Sequence, residues 1–114
     1  MSKRRDPELV EDISEAITRI ERYTAGLTLD AFLADTKTQD ATVRNLEIIG
    51  EAVKGLSSEF RKKSQGVPWQ DIAGMRDRLI HDYAGVNWDI VWDVLRTKLP
   101  ELRRHLARPE ESRK

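Results

Sequence analysis

Cysteine is absent from the 114 residues, so neither a disulfide framework nor a thiolate metal site can form. Histidine occurs only as His81 and His105, which argues against a multi-histidine metal centre. No stretch approaches the roughly 20 consecutive apolar residues of a membrane span. The beginning, Met1-Ser2-Lys3-Arg4-Arg5-Asp6, runs straight into an amphipathic acidic segment without the apolar core of a secretory signal, so a cytoplasmic protein is expected. Period-two alternation over a strand's length is missing, and so is any internal repeat. An excess of one charge is missing too: 20 Lys and Arg balance 20 Asp and Glu. Global attraction to nucleic acid is thereby excluded, and any RNA contact must come from local clusters. The candidates are Arg61-Lys62-Lys63, Arg103-Arg104 and the terminal basic residues; taken singly, each reads first as an ordinary solvated face.

What is present is 39% hydrophobic and 35% charged residues, the balance of a soluble globular chain rather than a disordered or membrane-embedded one. The length fits one domain over residues 1–114, with short charged tails at about 1–5 and 108–114, and one core of that size needs no staples. Asp6 reads as the N-cap of a first helix with Pro7 at its first position, Leu9, Ile13, Ala16, Ile20 and Tyr23 forming the apolar stripe, and Gly26 ending it. Thr28 can cap a short turn bearing Leu29, Phe32 and Leu33. A helix from about Thr38 to Leu56 places Asn45, Ile49, Ala52 and Leu56 on one face, and Gly50 and Gly55 within it suggest close helix contact. Residues 57–68 read as a short helical piece and a loop. Trp69 opens a helix with Ile72, Arg76, Leu79 and Tyr83 on one stripe, stopped by Gly85. Asn87 then caps a last helix, which should kink or restart at Pro100 because proline cannot donate to the carbonyl one turn back. The expected fold class is all-α, an up-and-down bundle of four to five helices.

The informative segment is Met75-Arg76-Asp77-Arg78-Leu79-Ile80-His81-Asp82-Tyr83, which holds an arginine, four residues, a histidine, one residue and a tyrosine. Such a spacing alone arises often by chance. On one straight helix Arg76 and Tyr83 lie nearly in line while His81 stands about 140° from Arg76. They converge only if the arginine reaches around, the helix ends near His81, or a second subunit completes the cleft. Asp77 precedes His81 by one turn, near enough to orient the ring or favour its protonated form; a solvated carboxylate is the equal alternative. Asn45 needs a partner on its apolar stripe, and either braces the Arg76 region or satisfies a core hydrogen bond. Arg44, Glu47 and Glu51 lie on another face of that helix, as an interface network or as exposed pairs. Trp69, Trp88 and Trp92 read as core rather than base-stacking residues. His105 reads as surface.

Beyond the bare spacing, Arg44-Asn45-Leu46-Glu47-Ile48-Ile49-Gly50-Glu51-Ala52, Val67-Pro68-Trp69, the Arg76 to Tyr83 segment, Val91-Trp92 and Leu99-Pro100 follow in order the pattern of HepT-like HEPN proteins. The chain resembles that family from Asp6 to Leu106. Asp77 departs from it only in replacing a commoner asparagine. The resemblance implies a single HEPN domain acting as a metal-independent endoribonuclease toxin that needs no cofactor. It implies Arg76 and His81 as catalytic residues with Asp77 and Asn45 in support, and two chains whose Arg and His line a shared cleft in a homodimer or higher even-numbered oligomer. The substrate would be RNA, tRNA or mRNA. The partner would be a nucleotidyltransferase antitoxin of the MntA kind that adenylylates Tyr83, and no membrane is involved. The rival expectation is a non-catalytic HEPN dimer that only binds its nucleotidyltransferase.

Overall fold

The first helix, α1 (Asp6–Thr24), forms because its apolar residues recur at helical spacing, and Leu9, Ile13, Ala16, Ile17 and Ile20 are all buried. The computed structural model describes residues 5–81 and 85–112, with the side chains of Arg76, Ile80, His81 and residues 107–112 outside that description. The N-cap is Arg5, not Asp6 as expected: Glu8, at the third helical position, accepts from the Arg5 backbone N–H at 2.9 Å. Asp6 is thereby released for another task. Its carboxylate accepts from the backbone N–H of Ser57 at 2.9 Å and from the Ser57 hydroxyl at 2.6 Å, tying the start of α1 to the far end of the next long helix. Gly26 turns the chain with φ of 76°, a left-handed conformation that glycine adopts without steric cost.

Thr28 caps α2 (Leu29–Leu33) by accepting from Ala31 N–H at 3.1 Å. Phe32, wholly buried, sits with its ring 6.0 Å from Trp88 and 5.0 Å from Trp92, so this short element works as a plug against the last part of the chain. Two carbonyls at its end, Phe32 and Leu33, are satisfied by the buried amide of Gln39 at 3.1 and 3.2 Å.

The second long helix, α3 (Thr36–Gly55), starts two residues before the expected Thr38 because Asp35 is the cap: its Oδ1 accepts from Thr38 N–H at 3.0 Å and its Oδ2 from the Thr38 hydroxyl at 2.7 Å. These bonds hold the Asp35 carboxyl below its ordinary pKa. Helix α3 packs against α1 on one side and α5 on the other and is the centre of the bundle. The expected close contact is realised at Gly55, where a Cβ would lie 3.2 Å from Leu9 Cδ1.

A single turn, α4 (Ser58–Lys62), and a loop lead to α5 (Trp69–His81). Asn87 caps α6 (Trp88–Asp93), accepting from Asp89 and Ile90 N–H. A π-helical stretch, Val94–Lys98, then separates α6 from α7 (Leu99–Ser112). Pro100 accounts for it. Its ring would clash with the Arg96 carbonyl in a continuous α-helix, and a widened turn just before it removes the conflict, with Leu99 N–H bonding back to Val94. The Thr97 hydroxyl donates to the Asp93 carbonyl at 2.8 Å within this irregular turn. Arg103 ties α7 to α1 through Glu21 and Thr18, at 2.9–3.4 Å. The elements share one hydrophobic cluster, and among the described residues there is no strand: the fold is an all-α bundle.

Candidate active site

Helix α5 carries the Arg76 and His81 positions, and its beginning is anchored by Trp69. The indole is 7% exposed, and its N–H donates to two loop carbonyls, Arg61 at 3.1 Å and Ser64 at 3.0 Å. Phe60 meets the same ring edge-on at 6.1 Å. Trp69 is therefore a core residue, and Trp88 and Trp92, partly buried, pack against the core at Phe32. Ile72 and Leu79 are buried, which fixes the rotation of α5 about its own axis. Arg76 stands at the register position between them, and His81 is the last residue of the element. The side-chain arrangements of Arg76 and His81 lie outside the described residues, as does Tyr83 altogether.

The supporting candidates occupy two different levels of α3. Asp77 lies with its Oδ1 3.5 Å from Lys54 Nζ, near the end of α3, and both side chains are about half exposed. An ion pair so exposed contributes little stability, on the order of 0–1 kcal/mol, and it marks the part of α3 that Asp77 faces. Asn45 is nine residues earlier, about 13 Å along the helix. It is buried, 4% exposed, and its amide donates to the Ala41 carbonyl at 2.9 Å within its own helix. Its Oδ1 accepts no hydrogen bond among the described residues, and the same holds for the Oγ1 of Thr42, which is wholly buried one turn before. Two buried polar oxygens three residues apart are costly in an apolar interface.

Thr42 and Lys54 did not stand out in the sequence. Thr42 had a signal, since it shares the apolar stripe with Asn45; Lys54 had none, because its pairing depends on how α5 returns across α3. His105 departs from expectation: it is only partly exposed, its Nδ1 is buried without a partner among the described residues, and its ring edge lies beside Gly66. Arg44, Glu47 and Glu51 line an open groove between α1 and α3 together with Arg5, Asp6 and Asp12. Among the described residues no three His, Asp or Glu side chains gather closely enough to hold a metal ion, and no helix is long and apolar enough to cross a membrane.

Comparison with known proteins agrees with this architecture. Residues 13–108 match the family described as Ribonuclease HepT-like. The chain is 48% identical over 89 residues to "Putative RNase MJ0127" of Methanocaldococcus jannaschii, covering 78% of this chain and 74% of that protein. It is 47% identical over 100 residues to "Putative RNase TTE0752" of Caldanaerobacter subterraneus subsp. tengcongensis, covering 88% of each. It is 43% identical over 101 residues to "Probable ribonuclease HepT" of Thermococcus cleftensis, covering 89% of this chain and 92% of that protein. No solved structure matches. The match spans nearly every element of the bundle, α5 included, and the chain belongs to the HepT-like family of ribonucleases.

Proposed function

We propose that this chain is a metal-independent RNA endonuclease whose catalytic groups are Arg76 and His81, and that it acts as the toxin of a toxin–antitoxin pair. Family membership carries the reading; the placement of both positions on one helix, anchored at Trp69 and packed on α3, supports it.

The chemistry suits these residue types. RNA brings its own nucleophile: the 2′-oxygen attacks the adjacent phosphorus, a P–O bond forms, and the bond to the 5′-oxygen breaks. The proton leaving the 2′-hydroxyl goes to a base, and the departing 5′-oxygen takes a proton from an acid. Imidazole, with an unperturbed pKa of about 6.5, serves either part near neutral pH. The guanidinium stays charged and presents a planar fork of donors to the non-bridging phosphate oxygens as charge builds there. In the proposed homodimer, or higher even-numbered oligomer, the Arg76 and His81 of two chains share one cleft, so base and acid come from different copies.

Tyr83 is the proposed point of control. A partner nucleotidyltransferase transfers AMP from ATP to the phenolic oxygen and releases pyrophosphate. An adenylate two residues from His81 adds bulk and negative charge where an RNA phosphate must sit, so cleavage stops without unfolding. The test is RNA cleavage in the presence of a chelator by the parent, His81→Ala and Arg76→Ala. Activity in the parent and its loss in both variants is expected; equal activity in all three contradicts the assignment. Intact-mass shifts after incubation with the nucleotidyltransferase and ATP, absent in Tyr83→Phe, test the regulatory part.

A further inference from the structure

The basic clusters that look like separate solvated faces in the sequence are sorted by the fold into different groups. Arg103 is engaged with Glu21 and Thr18 on α1. Arg61, Lys62 and Lys63, by contrast, sit in the segment curled around the Trp69 indole, whose N–H gathers the carbonyls of Arg61 and Ser64. Two residues further on, Gly66 lies against the ring edge of His105, at 3.6 Å from a would-be Cβ. That contact brings α7, with Arg104 and His105, to the same end of α5.

None of these five side chains makes an ion pair among the described residues, although Glu59 stands two residues before Arg61. Lys62, Lys63 and Arg104 are exposed. The Nε of Arg61 and the Nδ1 of His105 are buried and lack hydrogen-bond partners among the described residues. Four permanent positive charges and an imidazole are therefore carried by the segments that meet at one end of α5 in a molecule with no net charge. A bound anion would relieve their mutual repulsion, weak as it is between exposed charges in water.

We propose that Arg61, Lys62, Lys63, Arg104 and His105 form a phosphate-binding patch that holds the RNA backbone away from the scission point. The inference rests on the ribonuclease reading for the identity of the polyanion. RNA fits better than a compact anion because the exposed cations are spread over a loop and a helix, a shape suited to a series of phosphates. From Trp69 to His81 the helix rises about 18 Å. Only an RNA long enough to run along α5 reaches both ends, so the patch acts as a length-dependent affinity determinant. A dinucleotide held at the motif alone does not feel it.

The test uses the full chain carrying His81→Ala, so that bound RNA survives, and a fluorescein-labelled single-stranded RNA of about 20 nucleotides read by anisotropy. Removing Lys62, Lys63 and Arg104 together, each to Ala, is expected to weaken binding at least ten-fold and to lower the salt dependence of log K by about two, at about 0.7 per phosphate contact. A control that removes Arg19, Arg22 and Lys37 is expected to lose less than three-fold. Equal losses in both variants, or none in the first, overturn the patch. Poly-glutamate competing as well as RNA of equal charge overturns the assignment to RNA. The two readings separate: patch-dependent binding by a parent that cleaves nothing keeps the patch and removes the nuclease, cleavage with patch-independent binding does the reverse, and a protein that binds no RNA refutes both.

Discussion

Replacing Asn45 by Leu should make the protein more stable, because the amide occupies an apolar position and makes a single side-chain hydrogen bond among the described residues. Leucine has the same branched connectivity, so the change swaps two polar atoms for two methyl groups; these are bulkier, by roughly two methylenes in all, and fitting them offsets part of the gain. What is lost is the bond from Nδ2 to the Ala41 carbonyl, about 0.5–1.5 kcal/mol, and that carbonyl keeps its helical partner. What is relieved is the desolvation of an oxygen that accepts nothing among the described residues, about 1–3 kcal/mol. Leucine also favours the helix over asparagine by a few tenths of a kcal/mol. Before the cost of fitting the larger side chain, the sum is a gain of about 1–2 kcal/mol, and for a domain near this size each kcal/mol moves Tm by about 4–8 °C. Urea unfolding followed by far-UV circular dichroism reads it directly. A loss of more than about 1 kcal/mol would refute the reasoning. The same variant decides between the two roles of Asn45: a stabilised protein that cleaves RNA normally leaves a core hydrogen bond, whereas a stabilised protein with depressed kcat shows an amide retained for the site at a cost in stability.

Other expectations follow from equally local features. Trp69→Phe keeps an aromatic ring against Phe60 but strips the donor from the Arg61 and Ser64 carbonyls, and should cost about 1–3 kcal/mol while loosening RNA binding through the basic loop; an unchanged Tm and Kd would contradict the anchoring role. Asp6 and Ser57 should show a coupling of about 1 kcal/mol in a double-mutant cycle of their alanine variants, and additive losses would deny the link between α1 and α4. Asp35 titrates below its ordinary value when folded, so its contribution is present above the unfolded pKa of about 3.9 and disappears as the pH falls through the folded value. Asp35→Asn keeps the cap and should remove that part of the acid dependence; parallel stability curves for parent and variant below pH 4 would refute it.

The parts of the fold that were legible in the sequence are those decided within a few residues. Thr28 and Asn87 cap as their type and position dictate, Gly26 turns the chain, and the apolar stripes of α1, from Leu9 to Ile20, and of α3 are buried as their spacing requires, whereas Tyr23, expected on the α1 stripe, is 42% exposed because the helix ends one residue later. Pro100 announces an interruption, and the π-helical turn before it is the form the interruption takes. What escaped depends on partners far along the chain. Asp6 looks like a cap by type, yet Glu8 reaches back to Arg5 and leaves the Asp6 carboxylate to Ser57, 51 residues away. Asp35 lies just outside the apolar periodicity of α3, so the periodicity alone puts the start of that helix two residues late. At the site, the Arg76 and His81 spacing was visible but weak by itself, and its weight came from ordered landmarks across the chain. The neighbours of that motif were hidden: Lys54 meets Asp77 only through helix crossing, and His105 meets Gly66 only because α7 returns to the loop before α5.

The central claim is that the RNA 2′-hydroxyl is the nucleophile, activated by side chains of this protein. The most direct measurement is mass spectrometry of the ends produced from a defined RNA and from the same RNA with 2′-O-methyl groups throughout. The account predicts 5′-hydroxyl and 2′,3′-cyclic phosphate ends from the first and no cleavage of the second. Efficient cleavage of the methylated strand, or 5′-phosphate ends from either, would contradict it.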